Sequence, residues 1–184
     1  MRSSTIVVMG VCGTGKSTIG MALAKRLGYT FLEGDDYHPP SNVAKMQKGV
    51  PLVDDDRWPW LQAIAYDIAA RKAADKPTVV ACSCLKKAYR DILRSAGPDV
   101  VFVHLSGTAD EIARRMAARE DHFMPVSLLK SQMDTLEPVA VDESALTVDI
   151  SAPVEQITET IADWLVQTVP NPPVCSPSEG PSKD

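Results

Sequence analysis

Short runs of consecutive apolar residues alternate along this chain with longer stretches where apolar positions recur every third or fourth residue. The runs at 5–9, 29–32, 78–82, 100–105 and 146–150 are the length of buried strands, and several are rich in valine and isoleucine. Ile19, Leu23 and Leu27 form a helical stripe after the first run. Helices are expected over 41–48, stopped by Gly49 and Pro51, and over 57–72, with Trp60 or Leu61, Ile64 and Ile68 inward. Further helical stretches follow at 85–95, after the Thr108 cap with Glu111 three residues on, at 127–135 and at 153–167. Strand alternating with helix predicts an α/β fold, a doubly wound five-stranded parallel sheet. Residues 1–169 form one domain. Residues 170–184 hold five prolines and little apolar surface, and are expected to be a flexible tail.

The first strand runs into Gly10-Val11-Cys12-Gly13-Thr14-Gly15-Lys16-Ser17, which fits the phosphate-loop pattern G-x-x-x-x-G-K-[ST]. Strand, glycine loop and helix together turn a row of backbone N–H groups toward an anion. The loop, with Thr18 next in the helix, is expected to bind the phosphates of ATP. Lys16 reaches the β- and γ-phosphates and the Ser17 hydroxyl serves Mg²⁺.

Composition narrows the partners. The 184 residues carry a net charge of −5, so nothing draws the chain broadly to nucleic acid or anionic membrane. No apolar stretch reaches membrane-spanning length. The cysteines have no zinc spacing and read as free thiols in a cytoplasmic protein. Cys12, beside a helix N-terminus, is either a thiol of lowered pKa or a small packed side chain.

Phosphoryl transfer also needs a carboxylate near the acceptor. Glu33 and Asp35 are two apart at the end of the second strand, so an extended backbone points them the same way. Asp35 is the candidate base and Glu33 a candidate metal ligand; the other reading is a polar turn. No apolar strand ends in Asp before a catalytic loop, and no N-K-x-D segment occurs. Both observations favour a small-molecule kinase over a motor ATPase or a GTPase. Arg57 and Arg90 suit an anionic acceptor, or else form salt bridges, Arg57 with Asp54 or Asp56. Arg115 and Arg119 share a helical face before the break at 121–125, which predicts a mobile helical lid at about 115–136. Arg114 reads as a solvated position. His104 reads as a packed strand residue, while His38 and His122 fall where a hydroxylated substrate would lie.

These segments together resemble the small P-loop gluconokinases, relatives of shikimate kinase and the nucleoside monophosphate kinases. The resemblance runs from Ile6 to about Trp164. It is carried by Gly34-Asp35-Asp36-Tyr37-His38-Pro39, Asn42 with Lys45-Met46, and Gly49-Val50-Pro51-Leu52. Asp54-Asp55-Asp56-Arg57, Cys82-Ser83 with Leu85-Lys86-Lys87, Tyr89-Arg90-Asp91, His122-Phe123-Met124, Ser131-Gln132 and Thr135-Leu136-Glu137-Pro138 add to it. It implies transfer of the ATP γ-phosphate to the 6-hydroxyl of gluconate, with Lys16, Asp35, Arg115 and Arg119 catalytic. It places His38, Arg57, Arg90, His122 and Gln132 on the substrate, Ser17 and Glu33 on Mg²⁺, and two chains in a homodimer. Four positions depart from the family pattern: Glu33 for Asp, Val53 for a small polar residue, Cys84 for Ala and Asp121 for Gly. A kinase for another hydroxy acid such as shikimate, or a nucleotide-sensing module without turnover, are the alternatives.

Overall fold

The run at 5–9 forms the central strand β1 (Thr5–Met9), buried along its whole length. The computed structural model describes residues 5–118 and 126–168. Arg119, Asp121, His122, Cys175 and the segment 170–184 lie outside the described residues. β2 (Thr30–Glu33), β3 (Thr78–Ala81), β4 (Val100–Ser106) and β5 (Ala145–Asp149) complete one sheet, in the order β2-β3-β1-β4-β5. Every neighbouring pair is parallel; Val7, for example, stands between Val80 and Phe102.

Successive strand residues point to opposite faces, so each strand feeds two cores. Ile6 and Val8 join Val79, Val101 and Val103 under α1 (Lys16–Leu27) and α7 (Val154–Thr168), with Ile19, Leu23, Ile157 and Ile161 facing them. Val7 and Met9 join Val80 and Phe102 under α3 (Asp54–Ala73) and α4 (Lys87–Arg94), with Trp60, Leu61, Ile64 and Leu93 facing them. Burial on both faces is why β1, β3 and most of β4 read as apolar runs, while the edge strands β2 and β5 carry polar, partly exposed positions.

α2 (Pro40–Gln47) agrees with the expected helix to within a residue. α3 begins three residues earlier than the pattern suggested. Asp54, Asp55 and Asp56 form its first turn, where carboxylates favour the helix dipole, and Asp56 accepts the Val53 N–H at 2.9 Å. α5 (Ala109–Ala117) is capped as its spacing predicts, Thr108 accepting the Glu111 N–H at 3.2 Å. α6 (Val126–Thr135) follows. Among the described residues no helix is long and apolar enough to cross a membrane.

Candidate active site

All strands run the same way, so the chain leaves β1, β2 and β3 at one edge of the sheet, where ligands of such folds bind. Gly15 caps α1 in the left-handed region, φ 89°, which only glycine enters freely. No side chain caps that helix and no acid occupies its first turn, so its N–H groups are left for an external anion. Lys16 curls back so that Nζ donates to the Val11 carbonyl at 3.0 Å.

β2 ends at Glu33 and a single 3₁₀ turn, Gly34–Tyr37, follows at once. The extended-strand argument for Glu33 and Asp35 therefore fails at Gly34. That glycine lies so close to β3 that a Cβ would sit 2.3 Å from the Ala81 carbonyl. The tight approach still delivers both acids to one cavity of about 350 Å³, which Lys16, Ser17, Ser83 and Arg57 also line. Burial pushes the Glu33 carboxyl up, opposed by a hydrogen bond with the Ser17 side chain.

His38 stacks on Trp60 with ring centroids 4.1 Å apart, and the indole N–H is fixed by the Gly34 carbonyl at 2.7 Å. Asn42 Nδ2 donates to the Asp56 carbonyl at 2.7 Å, which settles the amide orientation, and the same nitrogen lies 3.3 Å from His38 Nδ1. Nδ1 is therefore the acceptor, and the ring proton is on Nε2, 3.9 Å from Asp35 Oδ1. That is too long for a hydrogen bond and short enough for both groups to reach one substrate oxygen. Burial lowers the His38 pKa, with Asp35 opposing, so the ring is neutral near pH 7.

Gln132, on α6, also lines the cavity and accepts the Cys12 N–H at 2.7 Å, tying α6 to the phosphate loop. A second cavity of about 300 Å³ lies on the other side of the loop, between Thr14, Thr18, Ala152 and Val154.

Two expectations are corrected. Arg90 does not reach the cavity. It is wholly buried and spends its guanidinium on both Glu143 oxygens, at 2.6 and 2.8 Å, and on the carbonyls of Leu85, Glu137 and Pro138. Those contacts fill the fork, leaving Arg90 no donor for substrate. Arg115 lines the second cavity rather than the one holding Asp35, tethered to Glu111 and the Ile150 carbonyl. Of the two readings of Cys12, the packed side chain holds: burial raises the thiol against the Lys16 charge, and Sγ packs 3.7 Å from Met116 Sδ.

Sequence reading also missed groups. Trp60 was expected only as core, yet it is the shelf under His38. Asn42 had no contact assigned to it; His38 lies in extended backbone before α2, so helical spacing could not link the two. The second cavity shares Thr14, Gly15 and Thr18 with the loop segment, but its wall of Ala152, Val154 and Ile157 carried no motif.

The buried pair of Arg90 and Glu143 carries a stability prediction. Burial alone would raise the Glu143 carboxyl, but hydrogen bonds from Arg90 and the Ala140 N–H, with the Arg90 and Arg94 charges, bring it to about 2. The unfolded chain takes up the proton first, near the ordinary value of 4.5. The pair's stabilisation is thus complete above that pH and is lost as pH falls from there toward about 2. Glu143→Gln strands a buried guanidinium and should cost about 3–5 kcal/mol at pH 7, on the order of 10 °C in Tm. Melting curves at pH 7 and pH 3 should also lose much of their difference in the variant.

The family is decided by similarity over nearly the whole chain. A family model described as an AAA domain matches residues 6–139. The gluconokinase of Gluconobacter oxydans (strain 621H) is 49% identical over 149 residues, 80% of this chain and 83% of its own. The chain belongs to the gluconokinase family. Among solved structures, a gluconokinase from Sinorhizobium meliloti 1021 superposes with TM-score 0.83 at 46% identity, covering 91% of this chain and 94% of its own. An unliganded sugar kinase from Janibacter sp. HTCC2649 gives TM-score 0.85 at 49% identity, covering 88% and 93%.

Proposed function

We propose that this protein transfers the γ-phosphoryl group of ATP to the 6-hydroxyl of D-gluconate, giving 6-phospho-D-gluconate and ADP. The observation that carries the proposal is one cavity lined by both Lys16 of the phosphate loop and the Asp35–His38–Arg57 set. The loop amides and Lys16 hold the phosphates. The base and ribose occupy the second cavity, beside Arg115, which so serves nucleotide binding.

A side-chain hydroxyl next to a carboxylate, Ser17 with Glu33, is the oxygen donor set that a hard cation such as Mg²⁺ takes. When bound between Ser17 and Glu33, the ion would offset negative charge on the triphosphate.

Gluconate is a carboxylate at one end of a chain of hydroxyls. Arg57 pairs with the carboxylate in a forked geometry. Neutral His38 donates from Nε2 to a hydroxyl. Asp35 accepts the proton of the attacking hydroxyl as its oxygen bonds to phosphorus and the bond to ADP breaks. Gln132 brings α6 over the loop, which excludes water that would otherwise take the phosphoryl group.

Release of ADP should be at least about a hundredfold faster with gluconate than with shikimate or with no acceptor. Equal rates with shikimate would reassign the acceptor, and no release with any sugar acid would leave a nucleotide-binding module.

A further inference from the structure

Arg57 is the cation that faces the acceptor, and its helix should have silenced it. Asp54 stands three residues earlier on α3, the spacing of a helical ion pair. The pair is long: Arg57 Nη1 lies 3.9 Å from Asp54 Oδ1, beyond hydrogen-bond reach, and donates to the Tyr89 hydroxyl at 3.3 Å instead. Asp54 is already taken. Lys86 Nζ lies 2.8 Å from each of its oxygens, and the Tyr89 hydroxyl donates to Oδ1 at 2.5 Å. The ammonium and the Arg57 guanidinium both sit 5.6 Å from the Tyr89 ring centroid, which the ring's quadrupole favours.

We infer that Lys86 is a specificity-determining positioning residue: by neutralising Asp54 it keeps Arg57 available for the carboxylate of the acceptor. The inference rests on the reading of Arg57 as the carboxylate anchor. Lys86 does not line the cavity and touches no reacting group. Its effect is a charge balance. Asp54 and Lys86 cancel, so one net positive charge remains on a guanidinium whose side chain is only 13% exposed. A cation so placed favours an anionic ligand over a neutral one. The titration behaviour agrees: the hydrogen bond with Lys86 is the first cause holding Asp54 down, and the same bond raises Lys86. In the sequence Lys86 stands only within Leu85-Lys86-Lys87, with nothing to link it to Asp54, 32 positions earlier.

Without Lys86, the nearest cation to Asp54 is Arg57, and gluconate must then displace Asp54 to bind. Lys86→Met should raise the KM for gluconate about tenfold, with kcat within about twofold and the KM for ATP unchanged. Lys86→Arg keeps the charge and should keep the KM. The double variant Asp54→Asn with Lys86→Met removes the competitor as well, and should return the gluconate KM to within about threefold of wild type. A role in folding alone predicts no such rescue, because the double variant lacks the ion pair too. Arg57→Met is the control and should raise the gluconate KM by about a hundredfold. If it does not, the anchor reading and this inference fall together. If it does, and Lys86→Met leaves the KM unchanged or the double variant stays as poor as Lys86→Met, this inference alone is overturned.

Discussion

Replacing Lys16 with alanine abolishes turnover, with kcat down by a factor on the order of 10³ or more. Phosphoryl transfer asks little covalent chemistry of the protein, so the rate depends on how well charge on the phosphates is offset and fixed. Among the described residues lining the larger cavity, Lys16 and Arg57 are the permanent cations, and Arg57 is assigned to the acceptor. Lys16 is the first residue of α1, and its ammonium is held across the loop by the Val11 carbonyl. Its position is fixed before any nucleotide arrives, so little reorganisation accompanies reaction. The variant should still fold, because the side chain gives up one partly buried hydrogen bond worth about 1 kcal/mol. Single-turnover phosphorylation with gluconate and a melting curve together check this. A variant that kept a tenth of the rate would move the main phosphate cation elsewhere.

The framework of this site was legible in the chain because its determinants are local. The phosphate loop needs a strand, glycines and a helix start within a few residues, and all are contiguous. The central strands β1, β3 and β4 announced themselves because burial on both faces leaves few polar positions in them. What stayed hidden depends on partners distant in sequence. Arg90 meets Glu143, 53 positions away, and only the packing of α4 against the segment after α6 brings them together. From sequence the same arginine was equally suited to substrate. Arg115 was placed correctly on its helix, but which cavity it faces follows from how α5 leaves β4. Cys12 shows a local rule overruled. A helix N-terminus lowers a thiol pKa, yet burial against Met116 wins.

Hidden and legible residues serve one end, the control of charge at the edge of the sheet. Glu33, Asp35 and a triphosphate would crowd negative charge into one cavity. In the proposed reaction Lys16 and Arg57 would offset it, and a neutral His38 would add a directed hydrogen bond rather than a third charge. Arg90 is kept out of this balance by Glu143. Its role is to hold the start of α4, and with it Lys86 and Tyr89, against the carbonyls at 137–138.

Asp35→Asn tests the chemical step itself. The amide has nearly the shape of the carboxylate and can still accept a hydrogen bond from the acceptor hydroxyl, but it cannot take up the proton. kcat should therefore fall by about 10²–10⁴, the usual worth of a positioned general base. The KM for gluconate should change by less than about threefold, because Arg57 and His38 still hold the acceptor. ATP binding, measured by calorimetry without gluconate, should match wild type, since Asp35 is not in the phosphate loop. A drop in kcat with both affinities kept is the signature of a group that acts in the transition state. Loss of ATP affinity would instead make Asp35 part of the metal and phosphate site, shared with Glu33. Full activity would leave Glu33 as the only other carboxylate lining the cavity among the described residues, and the base would have to be sought there. His38 offers an independent check. Its Nε2 proton faces Asp35, so the nitrogen resonance of that atom should shift on Asp35→Asn while Nδ1, held by Asn42, stays where it was.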